Sequence, residues 1–287
     1  MQKISDKEFL YSPSDLVHFL NCNHATVLDL KNFTEKMEKA EESATNKLLQ
    51  EKGFKHEAQY LEQLRREGKS IIEIPKQPKL HERVELTRQA LQSGADVVYQ
   101  GVLFKDNWRG DADFLIKVNT PSNLGDFSYE VLDTKLARRA EAKHVIQLCV
   151  YNDLLAHLQG VRPKLMYLFL GDQSLATLKA DDFFYYYQHA KQRFEDFVTN
   201  TPANSAPEPC KYCTFCHWKD NCENQWETED HLSLVANIQR SQADKLRHSG
   251  VSTVAALAAL APETRVVDLN ADVLGRLQAQ ASLQIHK

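Results

Sequence analysis

Charged side chains interrupt two apolar stretches in the middle of the 287-residue chain. Residues 109–118 have the β-branched and aromatic content of a buried strand, yet they carry Asp113 near their start. Residues 129–136 form a second run of this kind, in which Asp133 and Lys135 stand two residues apart. Because alternate residues of a strand face the same way, these two side chains are predicted to project together.

A helix-like stretch follows the second run and adds polar groups. Gln147 and Tyr151 are four residues apart, which places them on one face of a helix. Two acids, a lysine and a polar helix face are the layout of a metal-dependent phosphodiesterase, in which a divalent cation binds a phosphate oxygen and lowers the pKa of a water. The pattern therefore predicts hydrolysis of a phosphodiester bond.

The order of these residues resembles the RecB-like branch of the PD-(D/E)XK nucleases. The matching motifs are Gly53-x-x-His56-Glu57, Asp113, Asp133-Thr-Lys135 and Gln147-x-x-x-Tyr151. The resemblance implies that the histidine and the two acids hold Mg²⁺ or Mn²⁺, and that the lysine lies beside the attacking water. It also implies that the glutamine and the tyrosine belong to a helix that lines the DNA path. Asp133 stands where the family more often has glutamate. The aspartate side chain is shorter, which affects the distance between the carboxylate and the metal.

Three residues leave alternatives open. Asp111, two residues before Asp113 on the same strand face, could be the ligand instead, although the resemblance favours Asp113. Glu130 lies on the same predicted strand as Asp133 but faces away from it if the strand is regular. A histidine within a helix is more often a surface or core residue than a ligand, so the assignment of His56 depends on the acids downstream.

The rest of the pattern supplies the elements that would position these groups. Apolar periodicity predicts helices, and short runs rich in β-branched residues predict strands. In chain order these are helix 44–66, strand 70–74, helix 81–93, strands 97–104, 109–118 and 129–136, helix 140–159, strands 164–170 and 174–179, and helix 181–199. The three consecutive strands predict an antiparallel part of the sheet. The predicted fold class is α/β, a restriction-endonuclease-like PD-(D/E)XK core with a mixed central sheet flanked by helices.

Four of the six cysteines lie close together, at positions 210, 213, 216 and 222. In a chain whose N-terminus lacks an apolar signal core, this density favours metal binding over a disulfide framework. Gaps of two residues let thiolates converge on one site, as they do in zinc and iron–sulfur proteins. One interpretation is a structural Zn²⁺ site, in which His217 or His24 could replace a cysteine.

The other interpretation comes from a resemblance to AddB-type and CRISPR-associated RecB-like nucleases. Those proteins hold a 4Fe-4S cluster with one early cysteine and a late C-x-x-C-x5-C group. Cys22 matches the early position, and the late group is Cys213, Cys216 and Cys222. The resemblance leaves Cys210 as a spare thiol. Such a cluster would join the two ends of the domain. It should stabilise the fold by several kcal/mol, by analogy with the roughly 4.7 kcal/mol estimated for a disulfide that closes a 100-residue loop.

The composition changes near residue 230, where alanine, leucine and valine become frequent. We expect a nuclease domain at 1–229, including the cysteines, and a small helical appendage at 230–287. Residues 232–246 have a helical pattern, Gly250 marks a turn, and a second helix begins near residue 251. This arrangement looks like a helix-hairpin-helix element, whose turn amides can hold a DNA phosphate. Similar modules are often joined to a helicase, which implies a helicase partner in cis or in trans.

Composition and charge exclude few functions. The formal net charge of −4 is not that of a purely electrostatic nucleic-acid binder, but a nuclease needs only a local basic groove. No apolar run approaches the roughly 18 residues that cross a bilayer. With no signal core at the N-terminus, we expect a cytoplasmic protein that has no membrane partner.

These observations lead to one expected function and one alternative. The expected function is a metal-dependent deoxyribonuclease, and the resemblance implies that its substrate is single-stranded or end-bearing DNA. The alternative is a non-catalytic DNA-binding or scaffold module of a repair or defence complex that retains the nuclease fold. Such a module should have lost an acid or the lysine, and Asp113, Asp133 and Lys135 are all present.

Overall fold

The computed structural model describes residues 1–4, 8–77, 79–202, 205–261 and 263–285. Contacts divide the chain into two compact units, which are Met1–Thr34 with Glu42–Pro202, and Glu35–Glu41 with Ala203–Lys287. We call the first the sheet unit and the second the cysteine unit. The cysteine-rich segment thus groups by contacts with the C-terminal helices, and the predicted functional division at residue 229 stays a prediction.

From residue 44 onward, the secondary structure of the sheet unit follows the alternation expected from the sequence. Its elements are β1 (Gln2–Lys3), β2 (Phe9–Leu10), α1 (Pro13–Asn21), α2 (Asn23–Glu35), α3 (Ala44–Arg66), β3 (Ile71–Glu73), α4 (Leu80–Gln92), β4 (Val97–Lys105), β5 (Trp108–Val118), β6 (Ser128–Lys135), α5 (Ala142–Gln159), β7 (Leu165–Leu170), β8 (Leu175–Lys179) and α6 (Asp181–Thr199).

Six of these strands form one mixed sheet in the order β3-β4-β5-β6-β7-β8. The meander β4-β5-β6 is antiparallel, as the three consecutive strands predicted. The pairs β3–β4 and β6–β7 are parallel, and β8 returns antiparallel to β7. The parallel pair β6–β7 is joined through α5, the usual connection for parallel strands. The predicted α/β class with a mixed sheet is confirmed.

Helices cover both faces of the sheet. Along β6 the side chains of Val131 and Leu132 belong to two separate apolar clusters, because successive strand residues face opposite ways. The cluster around Val131 includes Leu148 and Leu154 of α5, and the cluster around Leu132 includes Tyr60 of α3. The end of β6, which carries the predicted acid and lysine, therefore lies between α3 and α5.

Helix α5 is the element that most of the core packs around. Leu148, Val150 and Leu155 are fully buried, and burial of each such side chain contributes roughly 1.5–3 kcal/mol. The helix ends at Gly160, whose φ of 72° is left-handed and therefore suits a residue without a Cβ. These packed positions fix α5 against the sheet and thereby set the positions of its polar residues.

The cysteine unit is helical. It contains a 3₁₀ turn (Lys211–Phe215), α7 (Lys219–Thr228), a second 3₁₀ turn (Leu232–Leu234), α8 (Arg240–His248), α9 (Val254–Ala258) and α10 (Ala271–Ile285). Gly250, with φ of 84°, lies in the turn between α8 and α9, where a helical hairpin was predicted. The prediction of one helix over residues 232–246 is wrong, because Asn237 has a left-handed φ of 64° and separates the 3₁₀ turn from α8.

None of the helices in the described part of the chain is both long enough and apolar enough to span a membrane.

Candidate active site

The predicted acids lie where regular pairing between strands stops. The β5–β6 ladder ends at Phe114 and Leu132, so the next residue on each strand is an aspartate. On the other side of β5, the ladder passes from the pair Tyr99–Phe114 to the pair Gly101–Ala112. Gln100 between them has a left-handed φ of 56°, a conformation that costs a non-glycine residue about 1–3 kcal/mol. Gln100 and Asp113 thus form no ladder pair, and Asp113 lies outside the regular pairing on both sides of β5.

The side chain of Asp113 forms hydrogen bonds to β6 in place of the backbone pairing that ends at Phe114. Its Oδ2 accepts hydrogen bonds from the backbone N–H and the Oγ1 of Thr134, at 2.9 and 3.2 Å. Desolvation, followed by the nearby carboxylates of Asp133 and Glu57, raises the pKa of Asp113 well above its ordinary value. Three carboxyl groups therefore lie close enough to resist ionising together.

Asp133 and Lys135 project together, as the strand alternation predicted. The Nζ of Lys135 lies 2.5 Å from Oδ2 of Asp133, whose side chain is 1% exposed. Burial opposes the charge on Lys135, but the carboxylates of Asp133 and Asp113 outweigh that effect and raise its pKa. Neither oxygen of Asp133 accepts an aligned hydrogen bond within the described structure. The buried carboxylate therefore keeps acceptor capacity that the described residues do not use.

The third carboxylate of the cluster comes from Glu57 on α3. Glu57 accepts hydrogen bonds from the hydroxyl of Tyr99, at 2.7 Å, and from the side-chain amide of Gln100. Its charge raises the pKa of both Asp113 and Lys135, so it faces the acid cluster. Tyr99 and the irregular residue Gln100 of β4 thus hold Glu57 in place.

His56, the neighbour of Glu57, has different contacts. Its Nε2 lies 3.3 Å from the carbonyl oxygen of Phe169, and its ring stacks on Phe169 with centroids 5.1 Å apart. It lines an open pocket of about 610 Å³ along α3, together with Lys55 and Arg66. The predicted role of His56 as a metal ligand stays a prediction, and the residue that the structure brings to the acids is Glu57.

The polar residues of α5 form the wall of the site. The amide of Gln147 donates a hydrogen bond to the hydroxyl of Tyr151 at 2.8 Å, as their spacing on one helix face allows. Burial, and then the charges of Asp133 and Asp113, raise the pKa of Tyr151 well above its ordinary value. The tyrosine therefore remains a neutral hydroxyl beside the acids. Gly110 on β5 makes room for it, since a Cβ at that position would lie 2.6 Å from Cδ1 of the ring.

His144 is a residue of this site that the sequence interpretation missed. It lies in the first turn of α5, one turn before Gln147, and is 6% exposed. Its Nδ1 accepts the backbone N–H of Glu141 at 3.3 Å. Burial, followed by the charge of Lys135, lowers its pKa to about 4, which keeps the imidazole neutral near pH 7. The signal in the sequence was its spacing of three residues from Gln147 on the same helix face.

The two alternative acids have partners of their own. The carboxylate of Asp111 lies 3.1 Å from a terminal nitrogen of Arg83 and 2.6 Å from one of Arg109. Glu130 accepts hydrogen bonds from the hydroxyl of Tyr167 at 2.8 Å and from a backbone N–H at 3.0 Å. The acids that raise the pKa of Asp113 most strongly are Asp133 and Glu57. The structure therefore groups Asp113 with those two carboxylates, while Asp111 pairs with arginines and Glu130 with Tyr167.

The donor set suits a hard divalent cation. Among the described residues, no group of three or more histidines, cysteines or acids is arranged to hold a metal ion. However, within the described structure the two oxygens of Asp133 accept no aligned hydrogen bond, and burial followed by acidic neighbours raises the pKa of Asp113. A cation would bind the oxygens of Asp133 and would offset the repulsion that raises the pKa of Asp113. Carboxylate oxygens are also the ligands that Mg²⁺ prefers. The residues present therefore fit the implied metal.

The late cysteines lie around the first 3₁₀ turn of the cysteine unit. The sulfurs of Cys210 and Cys213 are 3.8 Å apart, and Cys213 also accepts the backbone N–H of Cys210. Cys216 accepts the backbone N–H of Trp218 at 3.4 Å. Cys22, the predicted early ligand, follows α1 in the sheet unit. Cys149 is buried in α5, as expected, and burial raises its pKa to about 12. The metal cluster stays a prediction.

Comparison with known families agrees with this geometry. The model of the PD-(D/E)XK nuclease superfamily matches residues 12–223, which include the acids, the lysine and the late cysteines. A search of curated proteins finds no match. Because the family model covers well over half of the 287 residues, the relationship extends to the whole sheet and its helices. The chain belongs to the PD-(D/E)XK nuclease superfamily.

Proposed function

We propose that this protein is a metal-dependent deoxyribonuclease that hydrolyses phosphodiester bonds of single-stranded or end-bearing DNA. The observation that carries the proposal is the half-buried Asp113 beside the buried Asp133, with Lys135 held 2.5 Å from Asp133. A scaffold that only binds DNA has no need for this arrangement, because adjacent desolvated carboxylates destabilise a metal-free fold. Membership of the superfamily supports a nuclease, since its members typically cut nucleic acid with Mg²⁺ or Mn²⁺.

The residues that would hold Mg²⁺ or Mn²⁺ are Asp113 and Asp133. Glu57 is the third candidate ligand, because it faces the acids, and His56 is the candidate implied by the sequence resemblance. When bound, the cation would supply Lewis-acid polarisation of a phosphate oxygen and a lower pKa for a coordinated water.

Lys135 is proposed to act as a hydrogen-bond donor. Its raised pKa keeps Nζ protonated at neutral pH, so Nζ donates to the attacking water or to a phosphate oxygen and does not remove a proton. Its contact with Asp133 fixes the position of the ammonium group before substrate arrives. The positive charge offsets the negative charge that develops on the phosphate oxygens, and loss of one such donor typically lowers the rate by about 10²–10³-fold.

Gln147 and Tyr151 are proposed to orient the lysine or the DNA backbone. The hydroxyl of Tyr151 accepts from Gln147 and retains its own proton, which it can donate. Because both side chains come from the rigid core helix α5, their positions are set by packing and not by a mobile loop.

The test is cleavage of end-labelled single-stranded and double-stranded DNA in Mn²⁺, Mg²⁺ or EDTA. Wild-type protein should cut only with a cation, and Lys135→Ala should lose about 10²–10³-fold in rate. The matched control is Lys143→Ala, which removes a lysine ion-paired to Glu141 at 3.1 Å but 53% exposed. A folded wild type that binds DNA without cutting it under any of these conditions would contradict the proposal and favour the scaffold alternative.

We further propose that Cys22, Cys213, Cys216 and Cys222 hold a 4Fe-4S cluster that stabilises the fold. This part rests on the resemblance of the cysteine spacing. One observation supports the zinc alternative, since sulfurs bound to zinc at about 2.3 Å in a tetrahedron lie about 3.8 Å apart. That is the separation of the Cys210 and Cys213 sulfurs.

Metal analysis of anaerobically purified protein separates the two cofactors. Four irons for each chain, retained in Cys210→Ser and lost in Cys22→Ser, would support the iron–sulfur cluster. One zinc for each chain, lost in Cys210→Ser, would support a local zinc site. Cys149→Ser serves as the control, because that thiol is buried in α5.

A helicase that supplies single strands to this site, in cis or in trans, is also proposed. It rests on the sequence resemblance alone. The direct measurement is whether an unwinding enzyme increases cleavage of duplex ends.

A further inference from the structure

Two arginines converge on one carboxylate near the acid cluster. Arg83 of α4 places a terminal nitrogen 3.1 Å from Oδ1 of Asp111, and Arg109 of β5 places one 2.6 Å from Oδ2. The side chains of Arg83, Arg109 and Asp111 are 12%, 30% and 33% exposed. The group carries two positive charges and one negative charge, so it is a local basic site in a chain whose net charge is −4.

The position of this arginine pair connects it to the candidate active site. Arg109 and Asp111 flank Gly110, whose backbone lies against the ring of Tyr151. Asp111 precedes Asp113 by two residues on β5, which corresponds to roughly 6.6 Å along a strand. A DNA strand whose scissile phosphate lies at Asp113 would therefore bring a neighbouring phosphate close to the arginines.

The hydrogen bonding of the group is incomplete. Within the described structure, Nε of Arg83 and Oδ1 of Asp111 are buried and have no hydrogen-bond partner. The contact between Arg83 and Asp111 is therefore an ion pair that lacks good hydrogen-bond alignment. Unmade hydrogen bonds of buried groups are unfavourable, and a phosphate can accept paired hydrogen bonds from a guanidinium group in matched geometry.

We propose that Arg83 and Arg109 bind a phosphate of the DNA strand next to the scissile phosphate, and that Asp111 holds both guanidinium groups until that phosphate displaces it. This inference rests on the proposed function, because it assigns a further contact to the same substrate. The carboxylate of Asp111 has two roles in it. It prevents repulsion between the two arginines in the free protein, and it competes with DNA for them.

The test is the salt dependence of DNA binding, measured by fluorescence anisotropy with labelled oligothymidylate in EDTA, where no cleavage occurs. Arg83→Gln and Arg109→Gln should each lower the slope of log affinity against log salt, and the two combined should lower it by about 0.7, the value for one phosphate of a single strand. Between 50 and 200 mM salt, the double variant should therefore lose about 2.6-fold less affinity than wild type does. Asp111→Asn should bind oligothymidylate about two- to fivefold more tightly, because a competing ion pair of ordinary strength is removed.

Helix α4 provides matched controls. Arg88 pairs with Glu85 at 2.6 Å on the same helix, with both side chains nearly half exposed. Arg88→Gln and Glu85→Gln repeat the charge changes of Arg83→Gln and Asp111→Asn, and they should leave the slope within error of wild type. Arg109→Gln keeps the test informative if Arg83→Gln fails to fold, and thermal unfolding of each variant verifies the fold.

The outcomes separate this inference from the proposed function. Wild type that cuts and binds DNA, with unchanged slopes in both arginine variants, would overturn the inference alone. Weaker DNA binding by a folded Asp111→Asn would also overturn it, because the carboxylate would then serve only to fix the arginines. Wild type that neither binds nor cuts DNA would overturn both proposals.

Discussion

Gly110 has no side chain, and replacing it with alanine should displace residues in the wall of the active site. An added Cβ would lie 2.6 and 2.8 Å from two ring carbons of Tyr151, and 3.2 Å from Cδ1 of Leu154. Real Cβ contacts essentially never fall below 3.0 Å, so the ring or the strand must move. Gly110 does not have a left-handed φ, so the expected penalty is steric and not a matter of backbone strain.

The magnitude follows from two opposing effects. Overpacking of a buried site costs about 1–3 kcal/mol. Loss of glycine's freedom in the unfolded chain returns about 0.4–1 kcal/mol. Gly110→Ala should therefore lower the free energy of unfolding by about 1–2 kcal/mol. Gly53→Ala is the matched control, because a Cβ in the middle of α3 would meet nothing within 4 Å and should stabilise the helix by up to about 1 kcal/mol.

Urea denaturation of the two variants and wild type measures both changes. Combining Gly110→Ala with Tyr151→Leu should reduce the penalty, with a coupling energy of roughly 1 kcal/mol between the two positions. The cleavage rate of Gly110→Ala should fall, because its added methyl displaces the hydroxyl of Tyr151 from the acids. An alanine variant at 110 as stable as wild type, with no coupling to position 151, would show that the ring does not lie against β5.

The remaining predictions concern the charged groups of the site. Burial, and then the charge of Lys135, lower the pKa of His144 from an ordinary 6.5 to about 4. As the pH falls, the histidine is therefore protonated in the unfolded chain before it is protonated in the folded protein. The free energy of unfolding in EDTA should therefore fall by about 1–3 kcal/mol between pH 6.5 and pH 4, and His144→Gln should remove that part of the fall. Asp113→Asn should stabilise the protein in EDTA by roughly 1 kcal/mol, because it removes an ionisable group from a crowded carboxylate cluster. The same substitution should abolish the stabilisation that Mn²⁺ confers on wild type, about 2.7 kcal/mol at 100 times Kd. Glu57→Gln should reduce this Mn²⁺ stabilisation more than His56→Gln does. Thermal unfolding with and without the cation measures the difference, and the reverse order would favour the histidine as ligand.

Features with a local cause could be predicted from the sequence. Helix α3 begins at Ala44 and ends at Arg66, and α6 begins at Asp181 and ends at Thr199, as their apolar periodicity predicted. The antiparallel meander followed from three short apolar runs separated by turns. The joint projection of Asp133 and Lys135 needed only the two-residue period of a strand.

Features that depend on distant packing could not be predicted. His56 and Glu57 are adjacent on α3, and only the packing of that helix decides which of them faces the acids. The left-handed φ of Gln100 has no signal, because glutamine is not a residue that favours it. Arg83 lies 28 positions before Asp111, and no local spacing joins them.

The exceptions to ordinary folding rules collect in one part of the sheet unit. A left-handed glutamine, a buried carboxylate that accepts no aligned hydrogen bond within the described structure, and a carboxyl with a raised pKa all lie where β4, β5 and β6 meet α3. Each feature destabilises the fold by an amount comparable to a typical single mutation. The apolar clusters on both faces of the sheet offset these penalties, but they do not explain why the features occur together. A fold retained only for structure would replace such residues with apolar ones. Their concentration around Asp113 therefore supports an active site there independently of the family to which the chain belongs.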